Sequence, residues 1–355
     1  MPARQALEGL AGMGFGAKPG GQKVKAKEDA SALVKWARNN RRALTSTLFL
    51  FVMLVGFTMA NPEVFSQFKT YRSVMIALPV SMFLVVPLVF VVTAGEIDLS
   101  FPSVVGLSSY AFVSIVDKGG EPVFGILVAI IVGATLGYIN GLLVVRIGLS
   151  ALVATLGMNF FLRGFINILV EGFSIAIPEI RGTFIHNLLT EDTIIISGNQ
   201  GIPNQMLWAL AFVALGVFLY NRHSFGARVH CVGDNPESAA EMGINVNRTR
   251  ILVFVFTGIG AAFAGVFSVM INFVWWPTTG DGLLLPVLAG LFVGGTPTWG
   301  GVGTVFGGAI GTSIVAFIET GVIAAGLTGF FTQFFYGLII ILSLIFQRFN
   351  GGRVR

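Results

Sequence analysis

Cys231 is the only cysteine in the chain, so no internal disulfide can form and no CxxC pair is on offer to a metal. Histidine is nearly as scarce, at three residues. No cluster of His, Asp and Glu stands at catalytic spacing, which sets a membrane-embedded enzyme last among the candidate classes. No GxxxxGK[ST] stretch occurs anywhere. The phosphate cradle of a Walker loop is therefore missing, and the chain has no means of that kind to hydrolyse ATP itself. No apolar stretch lies close to the start, where a signal peptide would need one. Charge is the largest deficit: Asp, Glu, Lys and Arg make up 11% of the residues, under half of the roughly 25% usual in a soluble domain.

Apolar residues fill the space. The chain is 54% hydrophobic, carries 33 Phe in 355 residues, and has a mean hydropathy of +0.83. Few soluble folds could hide that much apolar surface, so lipid has to cover it. The expected fold class is all-α, a polytopic membrane protein with about ten transmembrane helices, some broken, each near the ~17–25 residues of a span. The apolar runs lie at about 44–60, 73–94, 101–116, 123–145, 150–170, 205–221, 251–271, 283–299, 302–324 and 329–347.

Charge placement orients this layout. The formal net charge of +5 is concentrated in Arg4, Lys18, Lys23, Lys25, Lys27, Lys35, Arg38, Arg41 and Arg42 of the first segment, then in Arg146, Arg222, Arg228, Arg248, Arg250, Arg348, Arg353 and Arg355. Ten spans with both termini in the cytoplasm put all of these inside and leave Lys69, Arg72, Lys118 and Arg181 outside, in keeping with the positive-inside rule. The basic balance thus reports orientation and not a nucleic-acid partner. The expected domains are a basic, partly disordered cytoplasmic tail (1–43, with a short amphipathic helix near Leu33–Arg42), a transmembrane permease domain (44–347) and a short cytoplasmic tail (348–355). Residues 171–204, with Glu179, Glu191 and Asp192, are expected outside, and 222–250 inside.

The inner loop carries the clearest local signal. Asn235 suits an N-cap, Pro236 the first helical position, and Glu237 the positive helix end. Gly243 fits a left-handed stop. A helix of about two turns, Pro236–Met242, follows, with small Ala239 and Ala240 permitting close approach. It reads either as a surface helix closing a loop or as a coupling helix docked on a partner.

At this loop the sequence resembles the ribose/xylose/galactose-type permease family of bacterial ABC importers. That family's cytoplasmic segment stands here as Phe225-Gly226-Ala227-Arg228, Val232-Gly233-Asp234-Asn235, Ala239-Ala240 and Gly243-Ile244. Four further stretches match in order: Gly95-Glu96-Ile97-Asp98-Leu99-Ser100, Gly133 with Gly137 and Asn140-Gly141, Thr155-Leu156-Gly157 with Arg163-Gly164, and Gly294-Gly295-Thr296 with Gly300-Gly301-Val302-Gly303. Glu96 departs from the pattern, standing where Gly is usual, and leaves the exact substrate open.

The resemblance implies a permease subunit of an ATP-driven importer in the bacterial inner membrane, carrying a monosaccharide or related polyol. It implies a partner ABC ATPase that binds ATP and Mg, a periplasmic or surface sugar-binding protein, and a second permease subunit, as homodimer or paralogue. No cofactor is expected on this chain itself. ATPase coupling would fall to Asn235, Pro236, Glu237, Ala239, Ala240 and Gly243. A permease for another solute, such as a nucleoside or a branched-chain amino acid, is the nearer alternative; a stand-alone secondary transporter or channel is the more distant one.

Within the spans, Gly133, Gly137 and Gly141 recur on one helix face, as a tight crossing in lipid requires. Gly95–Ser100, followed by Pro102, reads as a break between two helices whose freed backbone groups must find partners. The substrate pathway is assigned to Glu96, Asp98, Ser100, Asn140 and Thr155. Arg163, deep in a span, is expected to pair with Asp98 or Glu319 or to snorkel. Trp275 and Trp276 are expected to anchor at the interface.

Overall fold

The computed structural model describes residues 41–197 and 200–351. Residues 1–40, with most of the amphipathic helix expected over Leu33–Arg42, and residues 352–355 lie outside them. The described chain is almost entirely helical: α1 (Arg41–Ala60), α2 (Pro62–Phe65), α3 (Phe68–Thr93), α4 (Phe101–Val116), α5 (Pro122–Val145), α6 (Ala151–Val170), α7 (Phe184–Thr190), α8 (Asn204–Asn221), α9 (Ser224–Asp234), α10 (Pro236–Glu241), α11 (Val246–Asn272), α12 (Leu284–Val293), α13 (Val305–Ala324) and α14 (Gly329–Gly351). Each of the ten apolar runs contains or overlaps one of these helices. Seven are long and apolar enough to cross a membrane, and the α1, α4 and α12 stretches are shorter apolar helices.

Burial sorts the helices into centre and rim. In α3, Leu84, Val85, Val86, Val89 and Phe90 are all fully buried, the mark of a helix apolar all round and enclosed by others. The α6 and α14 helices are equally apolar yet mostly uncovered: Phe160, Phe161 and Ile168 on one, Phe330, Phe334 and Phe349 on the other, all face outward. In water such a surface would drive aggregation. In a bilayer it is the ordinary outer face, and the protein is accordingly a polytopic membrane protein.

The centre closes on the glycine stripe. At Gly133, Gly137 and Gly141 of α5, an added methyl group would overlap the backbone of Gly258, Phe254 and Ile251 in α11. The two helices run antiparallel with backbones touching, as packing-driven association in lipid demands.

One run departs from its expected form. The stretch at 283–299 is helical only over Leu284–Val293, ten residues, or about 15 Å, half the ~30 Å hydrocarbon core. Gly294 and Gly290 lie against Gly307 and Gly311 of α13, so α12 runs alongside part of its neighbour as a half-helix. The segment before it, from Val274 to Leu283, holds strand β4 (Val274–Trp275) and a 3-10 turn at Asp281–Leu283. β4 pairs antiparallel with β1 (Ile175–Ala176). A hairpin, β2 (Asp192–Ser197) with β3 (Gln200–Pro203), is fastened by Arg72, whose guanidinium reaches both oxygens of Asp192.

Candidate functional site: a broken helix and the loop beneath it

The α3 helix stops at Thr93, and α4 begins at Phe101 with Pro102 in its first turn. The residues between form a buried hydrogen-bonded cluster. Ser100 donates to Asp98 Oδ1 from both its backbone N (2.8 Å) and its hydroxyl (2.6 Å). Asn140 Nδ2 of α5 donates to Ser100 Oγ at 2.7 Å. Thr155 Oγ1 of α6 accepts from Leu99 N at 3.0 Å while its hydroxyl donates to the Ala151 carbonyl. Four of the five pathway residues read from the sequence thus meet at one place, two from the break and one each from α5 and α6. Just above them, the Ser103 hydroxyl is within 2.6 Å of Asn159 Oδ1, a second tie between α4 and α6 that sequence reasoning missed.

Glu96, the fifth, points elsewhere. It forms an ion pair with Arg250 in the first turns of α11, at 3.1 Å. Asp98 has no such partner: among the described residues no Lys, Arg or His pairs with it. Asn140 Oδ1 is likewise buried without a hydrogen bond. Asp98, Ser100, Asn140 and Thr155 are each at most 2% exposed. A carboxylate, two hydroxyls and an amide are the donors and acceptors that a polyhydroxylated solute would engage. In this conformation they are satisfied mainly by one another and by neighbouring backbone.

Arg163 takes a partner that neither expectation named. Its guanidinium pairs with Asp281, not with Asp98 or Glu319. It also donates to the carbonyls of Pro277, Thr279 and Pro102. Asp281 lies far away in sequence, on a segment whose fold toward α6 has no local signal. Glu319 instead accepts from the Tyr336 hydroxyl at 2.9 Å. Trp275 is a correction of the same kind. It is fully buried and its indole N–H donates to the Gly106 carbonyl, which makes it a core residue and not an interfacial anchor. Trp276 is 45% exposed.

The loop after α8 forms as its capping chemistry demands. The Asn235 side chain accepts from Glu237 N at 3.0 Å and Ser238 N at 3.1 Å, and Pro236 opens α10. The helix runs to Glu241, one residue short of the expected Met242, which serves as the C-cap; Gly243 follows at φ +80°. Ala239 is fully buried, whereas Ala240, Glu237, Ser238 and Met242 are exposed. The preceding helix α9 was not foreseen. Its Gly-containing sequence lacks a strong helix signature, but the His223 ring accepts from Phe225 N and caps it.

The chain as a whole is similar to known transport proteins. A family described as the permease component of the branched-chain amino acid transport system matches residues 70–344. The chain belongs to this family of membrane permeases. Among its relatives, the autoinducer 2 import system permease LsrC of Yersinia pseudotuberculosis is 30% identical, over 91% of this chain and 88% of its own. The inner membrane ABC transporter permease YjfF of Escherichia coli is 29% identical over 87% and 93%, and the L-arabinose ABC transporter permease AraH of Azospirillum brasilense 26% over 90% and 91%. No solved structure matches the chain.

Proposed function

We propose that the chain is the membrane permease subunit of an ATP-driven importer in the bacterial inner membrane, translocating a monosaccharide or related polyol handed to it by a binding protein. The observation that carries the reading is α10: a capped two-turn helix, too short to persist alone, that turns small Ala240 outward with none of the described residues covering it. Such a helix suits a groove on a partner ATPase, which would supply the ATP and Mg chemistry this chain lacks. The sugar assignment draws on the arabinose and autoinducer 2 relatives and on the hydroxyl, amide and carboxylate groups around Asp98. The family's description favours a second reading, a branched-chain amino acid.

Both termini are assigned to the cytoplasm, α10 with them, and α7 to the opposite side. In a Cys231→Ser chain, Phe184→Cys and Ser238→Cys should label with an impermeant thiol reagent from opposite faces of the membrane; labelling from one face overturns the orientation. Uptake of labelled L-arabinose and of labelled leucine, in cells with and without this chain, separates the two substrate readings.

A further inference from the structure

The two flanks of α10 grip the same short piece of chain. Before it, Gly233 lies against the Thr93 carbonyl so closely that a methyl group there would overlap it. The same carbonyl accepts from Gly301 N at 2.8 Å. A methyl group on Gly300 would stand 2.9 Å from Gly233 O and 3.0 Å from Gly95 Cα. His230 Nδ1 lies 3.0 Å from Gly301 O, its ring against Tyr220, whose hydroxyl is 2.8 Å from Thr93 Oγ1. After α10, Arg250 pairs with Glu96 at 3.1 Å. Residues 93–96 are therefore held from both sides of the loop, and residues 97–100, the remainder of the same break, carry the buried polar cluster.

We propose that this break is the relay between α10 and the Asp98 cluster, with Glu96 and Arg250 as positioning residues that keep the far flank of the loop engaged with it. The inference rests on the importer reading of the previous subsection. On the near flank the closest contacts, Gly233 with Thr93 and Gly300 with Gly233 and Gly95, are backbone on backbone, and close-packed protein transmits displacement. On the far flank the polar link to the break among the described residues is the ion pair, and its Glu96 stands where the pattern that the sequence resembles has Gly. Loss of the pair leaves the backbone socket intact, so the fold is retained while movement of α10 reaches the break from one side only.

The test uses the complete importer complex, purified through a tag on this chain, in a Cys231→Ser background. A nitroxide is placed on Ser238→Cys, which reads α10, or on Ile97→Cys, which reads the break. Mg-ATP with orthovanadate should change the spectra of both. With Glu96→Gln or Arg250→Gln the Ser238 label should respond as before and the Ile97 label should lose most of its response. The exchanged pair Glu96→Arg with Arg250→Glu should restore it, which a purely structural defect would not allow. An undiminished Ile97 response in both single variants overturns the relay and leaves the importer reading standing. A Ser238 label that ignores nucleotide in the parent complex overturns the importer reading, and the relay with it.

Discussion

The α5–α11 seam and the α9–α10 loop are both built on small residues, and they use them in opposite ways. In the seam, Gly133, Gly137 and Gly141 are covered completely by the backbone of α11. Their smallness is used up inside the chain, as close helix contact. On α10, Ala239 is used up in the same way, fully buried beneath the helix, but Ala240 beside it faces out. An outward small residue on a helix that cannot stand alone is a contact left open. The lesson is that small residues mark close approach, and burial tells whether the approaching partner lies within this chain.

The strongest way to break that contrast is to add bulk on each side of it. Gly137→Leu drives a side chain into the Phe254 carbonyl, where backbone has to move. Overpacking costs typically about 1–3 kcal/mol, and here the upper end is expected, read as loss of monodisperse protein after detergent extraction. Ala240→Arg should leave that readout unchanged, since Arg is a good helix former and the site is exposed. It should instead abolish co-purification of the ATPase and ATP-dependent uptake. Equal recovery of the ATPase, with uptake intact, reduces α10 to a connector.

Asp98→Asn sharpens the comparison from within the cluster. The amide keeps an oxygen to accept from Ser100 but removes the charge. Extraction and ATPase capture should match the parent while uptake is lost; uptake at the parent rate makes Asp98 a structural residue of the break.

Arg163→Met should cost less than the seam substitution. It removes the ion pair and the bonds to Pro277, Thr279 and Pro102, but Asp281 is half-exposed and can rehydrate. A charge-assisted hydrogen bond contributes about 1.5–3 kcal/mol, and about 2 kcal/mol of lost stability is expected. A lowered thermal midpoint in detergent is the measurement; an unchanged midpoint leaves the ion pair without structural weight.

Local signals were legible and long-range ones were not. Hydropathy placed a helix at every apolar run, because lipid imposes length and composition on each span separately. The Asn235 cap, the Gly243 stop and the α5 stripe were equally readable, since each depends on residues one to four apart. The family resemblance held over nearly the whole membrane region. Arg163 with Asp281, Trp275 under Gly106 and Glu96 with Arg250 required knowing which distant segments fold back together. The half-helix α12 was missed for a different reason: the apolar run was carried on to 299 across Gly294, Gly295 and Pro297, residues that mark a helix end.

The smallest expected effect separates the two reasons for which glycine is used. Gly137 needs space, for its backbone contact leaves no room for a methyl group. Gly243 needs conformation: its φ is +80°, yet a Cβ there would meet nothing within 4 Å. Gly243→Ala therefore adds no clash and incurs only left-handed strain, about 1–2 kcal/mol. Gly157 of α6 has neither constraint, with open space around it and ordinary helical geometry. Thermal midpoints should fall for Gly137→Ala, fall less for Gly243→Ala, and stay or rise for Gly157→Ala. The Gly243 substitution carries a second readout, because its strain bears on the end of α10. ATPase capture should weaken with Gly243→Ala while the membrane core is unaffected, and Gly137→Ala should lower the midpoint at unchanged capture among the molecules that remain folded. If Gly243→Ala instead destabilises the core as much as Gly137→Ala does, the loop is not a separable element, and the division between a closed seam and an open contact fails.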